Sequence, residues 1–192
     1  STRKESSAAS DVYKRQLSNG SSLALFVRAI MARKQMKSNK EHYMTKVNFY
    51  DSINDSMLKF AVIIARHNGK WVFCKHKERN TWEAPGGHRE DGEDILKTAK
   101  RELYEETGAI TFDITPICIY SVTVPDNFDG METFGKLFFS DIHTFEKELH
   151  SEIEKIAIMD ELPINWTYPE IQPKLLEEAR KRGFCPKKDE IK

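Results

Sequence analysis

Within the segment Gly87–Ala109, GHREDGEDILKTAKRELYEETGA, three carboxylates fall at Glu102, Glu105 and Glu106. Offsets of i, i+3 and i+4 put them on one face if the segment is helical. Acids crowded on one face repel one another and weaken an isolated helix, so a chain that keeps them there calls for a counter-charge. Hard oxygen ligands in this arrangement point to Mg²⁺, with Mn²⁺ as the close alternative. The flanks restrict the backbone as well. Gly86-Gly87 permits a tight bend that a side chain would hinder, and Asp91-Gly92 reads as a second turn. The spacing predicts a helix from about Glu93 to Thr107, with Asp91, Glu93 and Asp94 at its positive end and Gly108 placed to stop it. Ile95, Leu96, Ala99 and Leu103 form its apolar stripe. The three glutamates lie along one edge of that stripe, at the rim of a core contact where a cleft would be.

The rest of the chain is compatible with one domain around a core. It has 192 residues, 39% of them hydrophobic, and a formal net charge of zero. Neutrality provides no positive field for long nucleic acid, although a few local cations and a metal can still hold a small nucleotide. The cysteines, Cys74, Cys118 and Cys185, are odd in number and widely spaced, which suggests no disulfide framework and a reducing, cytoplasmic setting. No apolar run approaches the ~20 residues needed to span a bilayer, so no membrane partner is expected.

Along the chain, residues 1–16 are polar, without hydrophobic period, and resemble a translated cloning adapter. Ser21–Met36 reads either as a short basic amphipathic helix for a membrane surface or partner, or as an upstream stretch read in frame before Met44. The second reading is favoured. Residues 1–43 are therefore expected to be a non-native or disordered extension, 44–184 the domain, and 185–192 a charged tail. Leu58–Ala65 reads as a buried strand. Asn68-Gly69 is a turn suited to positive φ, and Trp71–His76 is its hairpin partner. Strand patterns recur at Ile110–Asp113, Cys118–Val124, Gly135–Ile142 and Glu152–Asp160, and Pro169–Arg182 reads as a terminal helix. Strands, a central helix, more strands and a last helix imply an α/β fold: a mixed sheet with helices on its faces.

The Gly87–Ala109 segment resembles the Nudix box, G-x5-E-x7-R-E-U-x-E-E-x-G-U, where U is aliphatic. Gly87, Glu93, Arg101, Glu102, Leu103, Glu105, Glu106, Gly108 and Ala109 fill its defined positions. Compatible flanks extend the resemblance over roughly Phe60 to Arg182. The resemblance implies a Nudix-type α/β/α sandwich with a mixed β-sheet. It also implies Mg²⁺-dependent hydrolysis of a pyrophosphate bond in a nucleoside diphosphate linked to another moiety, most like the branch that cleaves 8-oxo-dGTP and other NTPs. ADP-ribose, nucleotide sugars and RNA 5′ ends are the alternative substrates, and a non-catalytic nucleotide sensor is the alternative of another class.

By the same resemblance, Glu102, Glu105 and Glu106 are metal ligands, joined by the Gly87 carbonyl. Glu102 or Glu105 is the base, with Glu152 and Glu154 as candidates from a later loop. Arg101 makes an orienting ion pair. Glu105, one turn on, is near its side, whereas Glu93, two turns earlier, is less well aligned, and Arg101 itself is expected to point away from its neighbour Glu102. Asn165 is placed to read a purine through paired donor and acceptor groups. Trp82, Tyr120 and Phe128 could stack a base, His88 could touch phosphate, and Pro125 falls at a spacing similar to ADP-ribose pyrophosphatases. A homodimer is compatible with the resemblance.

Overall fold

The computed structural model describes residues 44–124, 131–146 and 153–184. Their elements are β1 (Lys46–Tyr50), a 3-10 turn (Asp55–Met57), β2 (Leu58–His67), β3 (Lys70–His76), β4 (Gly86–His88), α1 (Ile95–Thr107), β5 (Ala109–Thr123), β6 (Glu132–Phe145), β7 (Ile153–Met159) and α2 (Gln172–Lys181). The strands form one sheet in the order β1-β5-β6-β2-β3-β7, with β4 paired to β2 off this path. The β2–β6 pair is parallel and the others are antiparallel. The sheet is mixed, as the order of elements implied.

β2 is apolar almost throughout because both of its faces are covered. Ala61, Ile63 and Ala65 join a cluster with Ile95, Ala99 and Leu103 of α1. Ile64, between them, joins a second cluster with Leu175, Leu176 and Ala179 of α2. Alternation along the strand thus puts the two helices on opposite sides of the sheet, which makes an α/β/α sandwich. The β2–β3 hairpin closes as its dipeptide required, with Asn68 at φ 50° and Gly69 at φ 78°.

Helix α1 starts two residues later than the pattern implied. Asp94 is the N-cap, its side chain accepting the Leu96 N–H at 2.9 Å, and this leaves Glu93 outside the helix. Gly108 ends it at φ 71°, donating to the Tyr104 carbonyl at 2.7 Å. The buried face is Ile95, Thr98, Ala99, Leu103 and Thr107. Leu96 is 37% exposed and does not belong to the stripe, because it lies about 100° around from Ile95.

The two strand patterns at Ile110–Asp113 and Cys118–Val124 are one strand, β5, with a register shift beside Pro116. Proline is tolerated there because β1 covers only Ile119–Thr123 of the other edge, so Pro116 withholds its missing N–H from no ladder on that side.

Candidate active site

The site lies where the edge of β2 changes partner. At its C-terminal end β2 pairs with β3 through Ala65–His67. At its N-terminal end it pairs with β4, matching Phe60, Ala61 and Val62 to His88, Gly87 and Gly86. The glycine bend is therefore also a short strand laid against β2, and two glycines are needed for two different reasons. A Cβ on Gly86 would fall 2.3 Å from the Ala61 carbonyl oxygen, so backbone packs against backbone. A Cβ on Gly87 would fall 2.3 Å from Glu102 Oε1 and 2.4 Å from its Cδ, so the space a side chain would need holds the Glu102 carboxylate.

Helix α1 brings the three box glutamates to this strand but gives them different surroundings. The Glu102 side chain is 12% exposed and lies against Gly87, whereas Glu105 is 44% exposed at the rim. Glu106 turns inward: its Oε2 accepts the Gly86 N–H at 2.9 Å and the Cys74 thiol at 3.5 Å. Burial pushes the Glu106 carboxyl up to about 8. The charges of Glu102 and Glu83 push the same way, and the Gly86 N–H opposes them. Burial also raises Glu102, against the pull of Arg101.

Arg101 is the hub of the site. Its Nε and Nη2 reach Glu93 Oε1 and Oε2, its Nη1 reaches Glu102 Oε1 at 2.8 Å and Glu105 Oε2 at 3.2 Å, and Nη2 also donates to the His88 carbonyl at 2.9 Å. Two expectations are corrected here. Glu93 is the best-aligned partner because it sits before the helix and is free of helical spacing. Glu102 is within reach because the long guanidinium curls back over its neighbour. The Arg101 bonds hold the Glu93 carboxyl down at about 2, helped by the Thr98 hydroxyl at 2.7 Å.

The donors suit a hard divalent cation: carboxylate oxygens, two of them half-buried and raised in pKa, facing a backbone with no side chain in the way. Among the described residues no three His, Cys, Asp or Glu side chains stand gathered as a cation cluster. Arg101 draws Glu102 and Glu105 to one side, and Gly86 draws Glu106 to the other.

Residues 56–179, more than half of the chain, match the family described as the NUDIX domain. The chain belongs to the Nudix family. YtkD of Bacillus subtilis, named as a candidate 8-oxo-dGTP diphosphatase, is 31% identical over 131 residues, covering 66% of this chain and 78% of that protein. Among solved structures, the Bacillus subtilis pyrophosphohydrolase BsRppH superposes with a TM-score of 0.61 at 24% identity, over 74% of this chain and 93% of the other. The Nudix domain of Shewanella oneidensis NrtR, bound to ADP-ribose, gives a TM-score of 0.51 at 15% identity, over 65% and 87%. These two structural likenesses concern the fold. The chain is thus a Nudix hydrolase, and no helix among its described residues is long and apolar enough to cross a membrane.

The remaining candidates of this Nudix site scatter. Asn165 lies on an exposed loop, where its Nδ2 donates to the Asn80 carbonyl at 2.7 Å, so one donor already serves to join two loops. Tyr120 is 4% exposed and belongs to the core under α2, not to a stacking surface. Trp82 is half-buried, with Lys155 Nζ 5.7 Å from its ring centre. The His88 ring packs edge-on to Phe60 at 4.4 Å. Glu154 pairs with Lys75 at 2.8 Å. Glu152, Pro125 and Phe128 lie outside the described residues, as do residues 1–43 and 185–192.

Sequence reasoning missed Cys74 and Glu83. Glu83 is 7% exposed, exchanges two backbone bonds with Cys74, and holds Arg79 Nη1 at 3.3 Å. Position in the WEAPGG stretch was the available signal for Glu83, and Cys74 gave none, because its contact to Glu106 joins residues far apart in the chain.

Proposed function

We propose that this Nudix hydrolase cleaves a pyrophosphate bond of a nucleoside triphosphate, with oxidised dNTPs such as 8-oxo-dGTP as the leading substrate class, and that it requires Mg²⁺. The observation that carries the reading is the seating of Glu102 and Glu106 against Gly87 and Gly86, half-buried and raised in pKa, beside the exposed Glu105. A divalent cation would stabilise the ionised forms of these carboxylates against burial and mutual repulsion, and would meet the negative charge that a polyphosphate brings to the same place. In this reading Glu102, Glu105, Glu106 and the Gly87 carbonyl hold the cation. When bound, the cation would offset the charge of the phosphates and lower the pKa of water. Glu102 or Glu105 takes the proton from the attacking water. Arg101 keeps these groups in register through Glu93 and the His88 carbonyl. Asn165, on its exposed loop, contacts the base. The identity to YtkD supports the substrate class.

The test is incubation with Mg²⁺ and a panel containing 8-oxo-dGTP, the common NTPs and dNTPs, ADP-ribose, a nucleotide sugar and a 5′-triphosphate RNA, with the products identified. Release of pyrophosphate and a nucleoside monophosphate, fastest from 8-oxo-dGTP, is the expected result. Preference for ADP-ribose or RNA would move the assignment within the family, and tight nucleotide binding without turnover would replace it with a sensor. In parallel, Glu105→Gln is expected to lower turnover by orders of magnitude while the fold persists.

A further inference from the structure

Between Trp82 and Gly86 every residue has its backbone committed. The Trp82 N–H donates to the Asn165 carbonyl at 2.9 Å, and the Trp82 carbonyl accepts from Thr167 N–H at 2.9 Å. Glu83 and Cys74 exchange bonds of 3.0 and 2.9 Å, and the Pro85 carbonyl accepts the Ile63 N–H at 2.8 Å. Gly86 donates to Glu106. Ala84, like Gly86, is held by a side chain, but by one from the other helix: its N–H donates to Gln172 Oε1 at 3.1 Å. Both residues are 5% exposed.

Gln172 opens α2, on the opposite side of the sheet from α1. Its neighbours on the buried face of that helix, Leu175, Leu176 and Ala179, are apolar. A polar side chain kept among them is explained by the amide hydrogen it accepts, since a buried N–H left without a partner is strongly disfavoured. The accepted hydrogen also fixes which end of the carboxamide faces Ala84. We infer that Gln172 is a positioning residue for Glu106, acting through Ala84, Pro85 and Gly86.

The path is short and stiff. Pro85 is fully buried and its ring fixes φ, so a shift at Ala84 is passed on rather than absorbed. Gly86 already lies against the Ala61 carbonyl and has no room to retreat. The direction of the Gly86 N–H, and with it the seat of the Glu106 carboxylate, therefore depends on where Ala84 is held. The inference rests on the proposed role of Glu106 as a metal ligand, and it links the layer that carries α2 to the chemistry under α1.

The test uses the full chain with Gln172→Leu, which removes the acceptor, Gln172→Glu, which keeps it, and Glu106→Gln. In metal-free protein, amide exchange at Ala84 and Gly86 is followed by NMR against Leu137 in the core. In turnover, kcat, KM and the Mg²⁺ concentration for half-maximal rate are measured on the fastest nucleotide of the panel. Gln172→Leu is expected to speed exchange at both Ala84 and Gly86 by about ten-fold relative to Leu137. It should lower kcat about ten-fold, leave KM within about three-fold and raise the Mg²⁺ requirement. Gln172→Glu is expected to restore all of these. Faster exchange at Ala84 alone, with kcat per folded molecule unchanged, would make Gln172 only an anchor for α2 and overturn the inference. If Gln172→Leu does not fold, Gln172→Asn, one methylene too short, is read on the same amides and the same constants. Wild-type turnover in Glu106→Gln would remove the metal-ligand reading itself, while exchange at Gly86 would still report whether Gln172 controls that amide.

Discussion

Arg101 and Glu93 are joined by two bonds, Nε to Oε1 and Nη2 to Oε2, each 3.1 Å, across eight residues of chain. A planar guanidinium matches a carboxylate in this way and an ammonium does not. The pair fastens the loop before α1 to the middle of α1, and the remaining donors of Arg101 reach Glu102, Glu105 and the His88 carbonyl. Arg101→Lys keeps the charge and loses the fork. It is expected to lower kcat/KM by roughly 10- to 100-fold, the scale of a displacement near 1 Å in a site of this kind. Steady-state kinetics on the fastest nucleotide checks it, with circular dichroism to show that the helix persists. Activity within two-fold of wild type would mean that charge alone suffices.

Glu93 gives the pair a pH signature. Its carboxyl is held at about 2 in the folded chain, chiefly by the Arg101 bonds, against about 4.3 for an unperturbed glutamate. A depressed carboxyl stabilises the fold while it is ionised there. The contribution is fully present above about 4.3 and is lost as pH falls from there toward 2. Wild type is therefore expected to be more stable than Glu93→Gln at pH 7, with the gap closing across that acid window. Urea denaturation of both proteins from pH 7 down to 2.5 measures it, and a gap independent of pH would contradict the assignment.

The adjacent glycines separate packing from chemistry. At Gly87 an added Cβ meets the end of the Glu102 side chain, which can swing away, whereas at Gly86 it meets the Ala61 backbone, which cannot. Gly87→Ala is expected to fold with little loss of thermal stability and to lose on the order of 100-fold in kcat, because the carboxylate is displaced. Gly86→Ala is expected to lose ~1–3 kcal/mol or more of stability through overpacking. Thermal melts and turnover of both variants make the comparison. Equal stability losses in the two would show that Glu102 does not yield.

The box was legible because its signals are local. The Gly108 stop and the Asn68-Gly69 turn each depend on a few neighbouring residues, and the structure puts both where the residues required. What escaped depends on partners distant in sequence. Lys46–Tyr50 is five residues that become a strand only by pairing with Ile119–Thr123. Gly86–His88 has almost no intrinsic strand preference and is extended because Phe60–Val62 lies beside it. Helical periodicity places Glu93 poorly against Arg101, but Asp94 starts the helix after it, so that periodicity does not apply to Glu93. Gln172 looked like an ordinary residue of a terminal helix, since nothing in its neighbourhood announces Ala84, 88 residues earlier.

Asn165 has a structural duty that its proposed role must survive. Its Nδ2 holds the Asn80 carbonyl, and its own carbonyl accepts the Trp82 N–H at 2.9 Å, so the loop is tied at two points. Asn165→Ala removes the first tie and leaves the second, since that bond is made by backbone. If the side chain also contacts the base, the variant should lose discrimination between nucleotides as well as rate. The ratio of kcat/KM for 8-oxo-dGTP to that for dCTP is expected to fall by about ten-fold, the size of one good hydrogen-bond contact. Asn165→Asp keeps one acceptor but loses both amide donors, including the one on Asn80, and should lose rate without regaining discrimination. A purely structural Asn165 would lower both substrates equally, and an unchanged ratio in Asn165→Ala would show that the base is read elsewhere.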